Sequence, residues 1–249
     1  MPSYDFKSPR LYVGEDLAAG RAFEANPVQT NHLLNVLRRN EDDHVLLFNG
    51  RDGEWLASLK KPSKKKLTFV PIEEVRAQTP ASDLIYCFAP LKVGRLDYMV
   101  QKAVEMGAGV LQPVLTDFTQ SHRIRIDKIE ANAVEAAEQC GILTLPQCRE
   151  PLKFEEFIAG WNTDIPLVMC DERMDAESPI DALASLSRGP KGVLIGPEGG
   201  FSPAERKRLG EHSFVRSISL GPRILRADTA AVAALALLQA VCGDWQPVA

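Results

Sequence analysis

The sequence predicts an α/β protein, a small β-barrel followed by a larger domain built on a parallel sheet. Three observations predict it. Short strand-like segments joined by tight turns fill residues 1–75. From Asp83 onward strands and helices alternate, a rhythm that puts helices on both faces of a mostly parallel sheet. The chain has 249 residues, 45% of them hydrophobic and 25% charged, which is material for two cores.

In the front region, Asn31 to Arg39 reads as a helix, with Leu33, Leu34 and Leu37 on one side. His44 to Phe48, Glu54 to Leu59 and Leu67 to Val75 read as strands. The first two are separated by the turn Asn49-Gly50-Arg51-Asp52-Gly53 and the last two by a polar loop, Lys60 to Lys66. Arg76 to Ser82 is the expected linker, so the domains are 1–75 and 83–249. In the second domain Leu84 to Ala89 is a strand. It leads to a helix bearing Leu96, Met99, Val100, Ala103 and Met106 on one face and closed by Gly107. Val110 to Leu115 is a strand and Asp127 to Cys140 a helix ended by Gly141. Pro166 to Cys170 and Gly192 to Ile195 are strands flanking a helix at Ile180 to Leu186. Ser202-Pro203-Ala204-Glu205 is a capping box with proline at the first helical position. Phe214 to Leu220 is the last strand. Thr229 to Val241 is the last helix, apolar all round at Ala230 to Leu238 and therefore expected to be buried.

Composition excludes several classes. Five cysteines without a C-x-x-C pair disfavour disulfides and structural zinc and fit a reducing cytoplasm. None of the four histidines has metal-ligand spacing, so no metal is expected. No apolar run approaches a bilayer span, so no membrane is expected either. The net charge is −4. Residues 1–75 carry 11 basic and 11 acidic side chains, and the remainder 18 against 22. Contact with nucleic acid must then come from local basic clusters.

Two glycine-bearing loops follow strands. One is Leu194-Ile195-Gly196-Pro197-Glu198-Gly199-Gly200-Phe201 and the other Leu220-Gly221-Pro222-Arg223-Ile224-Leu225-Arg226. In open α/β sheets ligands bind beyond the carboxyl ends of strands, and glycine there lets main-chain groups approach a ligand. Two such loops could hold a nucleoside-like cofactor. The loop after the first strand of the domain has only Gly94, and no G-x-G-x-x-G or P-loop pattern is present, so the glycine chemistry sits at the C-terminal end.

LIGPEGGFSPAE followed by LGPRILRADTAAVAALALLQ resembles the RsmE family of 16S ribosomal RNA uridine-N3 methyltransferases in the SPOUT superfamily. So do KVGRLDYMVQKAVEMG at Lys92 to Gly107, AAEQCG at Ala136 to Gly141, His32 to Arg38 and Phe48-Asn49-Gly50. The resemblance implies a trefoil-knotted SPOUT domain after a PUA-like RNA-binding barrel. It also implies a homodimer, S-adenosyl-L-methionine as cofactor, and small-subunit ribosomal RNA, free or in the assembled subunit, as substrate. The cofactor would be held by Leu194, Ile195, Gly196, Pro197, Gly199, Gly200, Leu220, Gly221, Ile224 and Leu225. The chain departs from the family pattern at Ala227-Asp228, where Thr-Glu is usual, and at Phe118 and Ile142, where arginine is frequent.

N3 of uracil is a weak acid, and its methylation requires loss of a proton. Glu198, inside the first loop, is the expected base or a brace for that loop. Arg226 is expected to stabilise negative charge on the ring or bind a phosphate. Asp228 reads as the cap of the last helix. Arg10, Arg38 and Arg39 are the expected RNA contacts, while Lys60, Lys61, Lys64, Lys65 and Lys66 read first as a solvated face. Two rivals stay open. One is a SPOUT methyltransferase acting on another RNA position or a ribose 2′-hydroxyl, and the other is a non-catalytic RNA-binding assembly factor.

Overall fold

A computed structural model describes residues 8–63, 66–92, 94–121, 123–171 and 178–245. Lys64, Lys65 and His122 lie outside the described residues. The chain divides into two compact units, 1–80 with 137–145, and 81–136 with 146–249.

The first unit is a mixed five-stranded sheet. Its strands are β1 (Arg10–Tyr12), β2 (Phe23–Glu24), β3 (His44–Phe48), β4 (Glu54–Ser63) and β5 (Lys66–Arg76), in the order β1-β3-β4-β5-β2. Only β1 and β3 run parallel. Strand alternation places Val45, Leu47, Ala57, Leu59, Leu67 and Phe69 in one core, which Leu33 joins from the helical segment. The expected loop at Lys60 to Lys66 is a correction, because β4 runs to Ser63 and β5 starts at Lys66. Backbone pairing carries the hairpin past the point where burial of side chains ends.

The expected helix also begins earlier, as α1 (Pro27–Asn31), and continues as a wider π-helical turn at His32–Val36. Asn26 accepts from Gln29 N and Gln29 Oε1 accepts from Asn26 N, so a capping box fixes the start. The stretch ends with Arg38 in the left-handed region, φ +54°.

The second unit holds a parallel sheet in the order β12-β10-β11-β6-β7-β8, with β9 also pairing β7. In chain order its elements are β6 (Leu84–Phe88), α2 (Arg95–Glu105), β7 (Val110–Leu115), α3 (Ile126–Cys140), β8 (Gln147–Cys148) and β9 (Leu152–Lys153). There follow α4 (Phe154–Ala159), β10 (Leu167–Cys170), α5 (Pro179–Ala184), β11 (Lys191–Ile195), α6 (Pro203–Gly210), β12 (Val215–Ile218) and α7 (Ala227–Cys242). Strand β6, paired to β11 and β7, is buried throughout, as a parallel strand covered on both faces must be. On one face Ile85, Cys87, Val114, Leu194 and Phe201 pack with Phe154 and Phe157 of α4, a helix not expected from the sequence.

Gly107 (φ +85°) and Gly141 (φ +70°) end α2 and α3 in the conformation that favours glycine. Helix α7 buries Ala231, Ala234, Leu235 and Leu238. Val232, Ala233, Ala236 and Leu237 stay half-buried, so its opposite side is only partly covered by the described residues. Asp228 is a correction. The cap position of α7 is Arg226, and Asp228 lies within the first turn, where its carboxylate accepts from Thr229 N at 2.9 Å. Among the described residues no helix is long and apolar enough to cross a membrane.

Candidate active site

Strand β11 ends at Ile195, and the backbone then folds through the first glycine loop into the capping box of α6. Gly200, φ +68°, closes a turn by donating to Pro197 O at 2.9 Å. Ser202 accepts from Glu205 N at 3.2 Å and Ser202 N donates to Glu205 Oε2 at 2.8 Å, so helix and loop share one register.

Glu205 also reaches the turn after β7. Its Oε1 accepts from Asp117 N at 2.8 Å, while Ser202 Oγ donates to Asp117 Oδ2 at 2.6 Å. Glu205 and Ser202 are buried, and hydrogen bonds of this kind are what make burial of charge affordable. Next to Glu205 on α6, Arg206 donates to Phe201 O at 3.0 Å and to Asp171 Oδ1 at 2.9 Å. Asp171 follows β10, and its N–H donates to Ile218 O at the end of β12 at 3.0 Å. The first loop is therefore tied to the carboxyl ends of β7, β10 and β12.

Between this loop and the second lies a cavity of about 280 Å³. Ile195, Gly196, Pro197, Gly199, Gly200, Ile224 and Leu225 line it, seven of the ten residues assigned to the cofactor from the sequence. Leu194 packs in the core, and Leu220 and Gly221 lie outside the lining. Both candidate chemical residues, Glu198 and Arg226, are in the wall. Sequence reasoning missed Cys170, Phe201, Ala227 and Ala230, which complete the lining. Burial pushes the Cys170 thiol up to about 12, so it is an uncharged contact at neutral pH.

Glu198 faces a partner that the sequence did not suggest. Arg95 Nη1, in the first turn of α2, lies 3.5 Å from Glu198 Oε1, and both side chains remain partly exposed. Asp117, Asp171 and Arg206 were also missed. Asp171 carried a readable signal, an acid directly after a strand of an open α/β sheet. The contact of Asp117 with Glu205 spans 88 residues and carried none.

Of the expected RNA contacts, Arg38 is exposed and Arg39 is half-buried. Arg10 is a correction. It is buried, paired with Glu54, donates to the carbonyls of Ala137 and Ile142, and stacks 3.7 Å from the Phe48 ring centroid. Its guanidinium is committed to holding the first unit together and offers phosphate no free face.

Comparison with known proteins adds to this geometry. The model of the RNA methyltransferase domain matches residues 77–239, and that of the RNA methyltransferase PUA domain matches 29–72. The chain belongs to the RNA methyltransferase domain family. The ribosomal RNA small subunit methyltransferase E of Rickettsia conorii is 29% identical, over 98% of this chain and all of the relative. That of Bacillus subtilis is also 29% identical, over 87% of this chain and 89% of the relative. A crystal structure of the Neisseria gonorrhoeae ribosomal RNA small subunit methyltransferase E, bound to S-adenosyl methionine, superimposes with a TM-score of 0.84 at 25% identity, covering 96% of this chain and 100% of that one. A Legionella pneumophila methyltransferase in complex with SAM gives 0.83 at 28% identity, covering 94% and 98%. The RsmE resemblance read from the sequence is thereby borne out over nearly the whole chain. The PUA match falls within the five-stranded unit, and the methyltransferase match spans every strand of the parallel sheet.

Proposed function

We propose that this RNA methyltransferase uses S-adenosyl-L-methionine to methylate N3 of a uridine in small-subunit ribosomal RNA, acting as a cytoplasmic homodimer. The observation that carries the reading is the cavity between the two glycine loops, with Glu198 of the first loop and Arg226 of the second both in its lining. Its lining suits a nucleoside joined to an amino acid. Ile195, Ile224 and Leu225 offer apolar contact for a base, and the Gly196 to Gly200 backbone offers main-chain donors and acceptors unshielded by side chains. The two solved relatives with SAM bound support the same cofactor.

When bound, S-adenosyl-L-methionine supplies an electrophilic methyl group. The chain's own task is to remove a proton. In this reading Glu198 takes the N3 proton of uracil, and Arg226 stabilises the negative charge that this leaves on the ring oxygens. The half-buried apolar stripe Val232, Ala233, Ala236 and Leu237 on α7 supports a second copy as partner.

The test is calorimetry of cofactor binding, with mass spectrometry of nucleosides from small-subunit RNA of cells with and without the enzyme. The expected result is one-site binding and loss of a single N3-methyluridine. Loss of a ribose-methylated nucleoside instead would move the enzyme to another acceptor.

A further inference from the structure

Phe118 is an exposed aromatic residue held in an unusually fixed position. It is 46% exposed, at the turn that follows β7. Both of its neighbours are pinned. Asp117 donates through its N–H to Glu205 and accepts from Ser202 Oγ, as described above. On the other side Thr119 N donates to Thr116 O at 3.1 Å, Thr116 N donates to Thr119 Oγ1 at 2.9 Å, and the two hydroxyls lie 2.9 Å apart. Thr116 and Thr119 are buried. One edge of Phe118 rests on the cavity wall. A Cβ added to Gly199 would lie 3.4 Å from Phe118 Cβ, 3.6 Å from Cδ2 and 3.7 Å from Cγ.

A lone exposed apolar side chain is ordinary. A ring carried on a turn held by hydrogen bonds, set beside the glycine wall of the cavity and still nearly half exposed, is not accounted for by folding alone. Gly199, beside this ring, directly follows Glu198, the partner of Arg95. That pair is spaced at 3.5 Å, longer than a hydrogen bond, with side-chain exposures of 28% and 42%. Both charged groups therefore keep capacity for a ligand. The chemistry offered is a π-face, a carboxylate acceptor and a guanidinium donor. Uracil presents the complement: a flat ring, an N3–H donor and two carbonyl acceptors on either side of it.

From this arrangement we infer that Phe118, Glu198 and Arg95 form the subsite for the target base, with Phe118 as stacking platform and Arg95 as donor to a uracil carbonyl. The inference rests on the uridine reading proposed above. An unpaired base taken out of its stack needs a new π-partner, and aromatic side chains supply one in RNA recognition. Asp117, Ser202 and Glu205 are then positioning residues for the platform, acting through the turn that carries it.

The test compares F118L, which keeps apolar contact with Gly199 but has no π-face, with F118Y, which restores the face. Small ribosomal subunits lacking the methyl group serve as substrate. Stacking on a base is worth about 5- to 150-fold in affinity, so F118L is expected to lower kcat/KM by about tenfold or more. F118Y is expected to recover most of that loss, and R95Q to lower kcat/KM with cofactor affinity unchanged. Calorimetry with S-adenosyl-L-methionine and light scattering accompany each variant. Wild-type activity in F118L would overturn the inference. So would a parallel loss of cofactor binding, which makes Phe118 a brace, or a change of oligomeric state, which makes it a contact between copies. If the wild type forms N3-methyluridine while F118L does so equally well, this inference fails and the uridine reading stands. If the wild type methylates another atom, the uridine reading fails first.

Discussion

Two arginine–glutamate assemblies in this protein share chemistry and differ in almost everything else. In the first unit Glu54 is buried, its side chain 1% exposed, and it is gripped by two arginines. Arg76 donates to both of its oxygens, at 2.7 and 3.1 Å, and Arg10 adds a third bond. The spare donors of both arginines are used on carbonyls, of Gly141 at 2.8 Å and of Ala137 and Ile142. In the second unit Glu198 meets one arginine among the described residues, at 3.5 Å, and both are partly open to water. The first assembly is saturated and can only hold structure. The second is unsaturated at a cavity wall, where a carboxylate with spare acceptor capacity can take a proton from a ligand.

Removing charge should therefore act on different observables in the two places. Glu54→Gln leaves Arg10 and Arg76 without their carboxylate in a buried setting, where breaking one partner of an ion pair costs about 3–5 kcal/mol. The expected outcome is a large fall in the denaturant midpoint of the first unit, read by urea unfolding. Cofactor affinity under native conditions should be retained. A variant as stable as the wild type would mean that the buried cluster contributes nothing and the contrast with Glu198 is empty.

Glu198→Gln should do the reverse. Loss of a general base typically costs about 10²–10⁴-fold in rate, while a substitution at a partly exposed side chain shifts stability by about 0.5 kcal/mol or less. Single-turnover methylation should fall by at least about 100-fold with unchanged urea midpoint and cofactor affinity. If stability falls and rate does not, Glu198 is a loop brace.

How much of this could be read from the chain follows from how local each feature is. The glycine loops, the capping box at Ser202 and the stops at Gly107 and Gly141 are local patterns, and each stands where the sequence put it. Arg10 was misread because its role depends on Glu54, Ala137 and Ile142, up to 132 residues away. A basic residue in a short strand looks solvent-facing until its partners are known. The lysine-rich segment misled in the opposite sense. A run of charge suggests a loop, whereas paired backbones extend a hairpin whatever its exposed side chains are. Asp228 looked like a cap by residue type, but Arg226 holds that position because α7 starts earlier than its apolar run. The platform at Phe118 had no local signature, since its support comes from Ser202 and Glu205.

A third pair, as exposed as Glu198–Arg95 but away from the cavity lining, calibrates the comparison. Asp97 of α2 accepts from Lys128 Nζ of α3 at 2.6 Å and from Asn132 at 3.0 Å, with side-chain exposures of 27% for Asp97 and 43% for Lys128. The Lys128 ammonium, ahead of Asn132, holds the Asp97 carboxyl below its ordinary value of 3.8. A carboxyl whose folded pKa is depressed adds stability that is fully present above the unfolded value. That stability is lost as pH falls through the folded value. The pair should therefore contribute fully at neutral pH and begin to lose its effect as pH falls below about 4. Exposure of Lys128 limits the gain, as for other exposed pairs, to about 0.2–1 kcal/mol. Lys128→Ala should lower the urea midpoint slightly at pH 7, and the difference from wild type should shrink as pH is taken toward 3. It should also shrink in high salt, where exposed pairs are screened. Methylation rate and cofactor affinity should not change, because the pair lies outside the cavity lining. A difference that persists undiminished at low pH would show that the lysine contributes packing along its aliphatic stem, not charge. That result would place Asp97–Lys128 outside the series that Glu54 and Glu198 define.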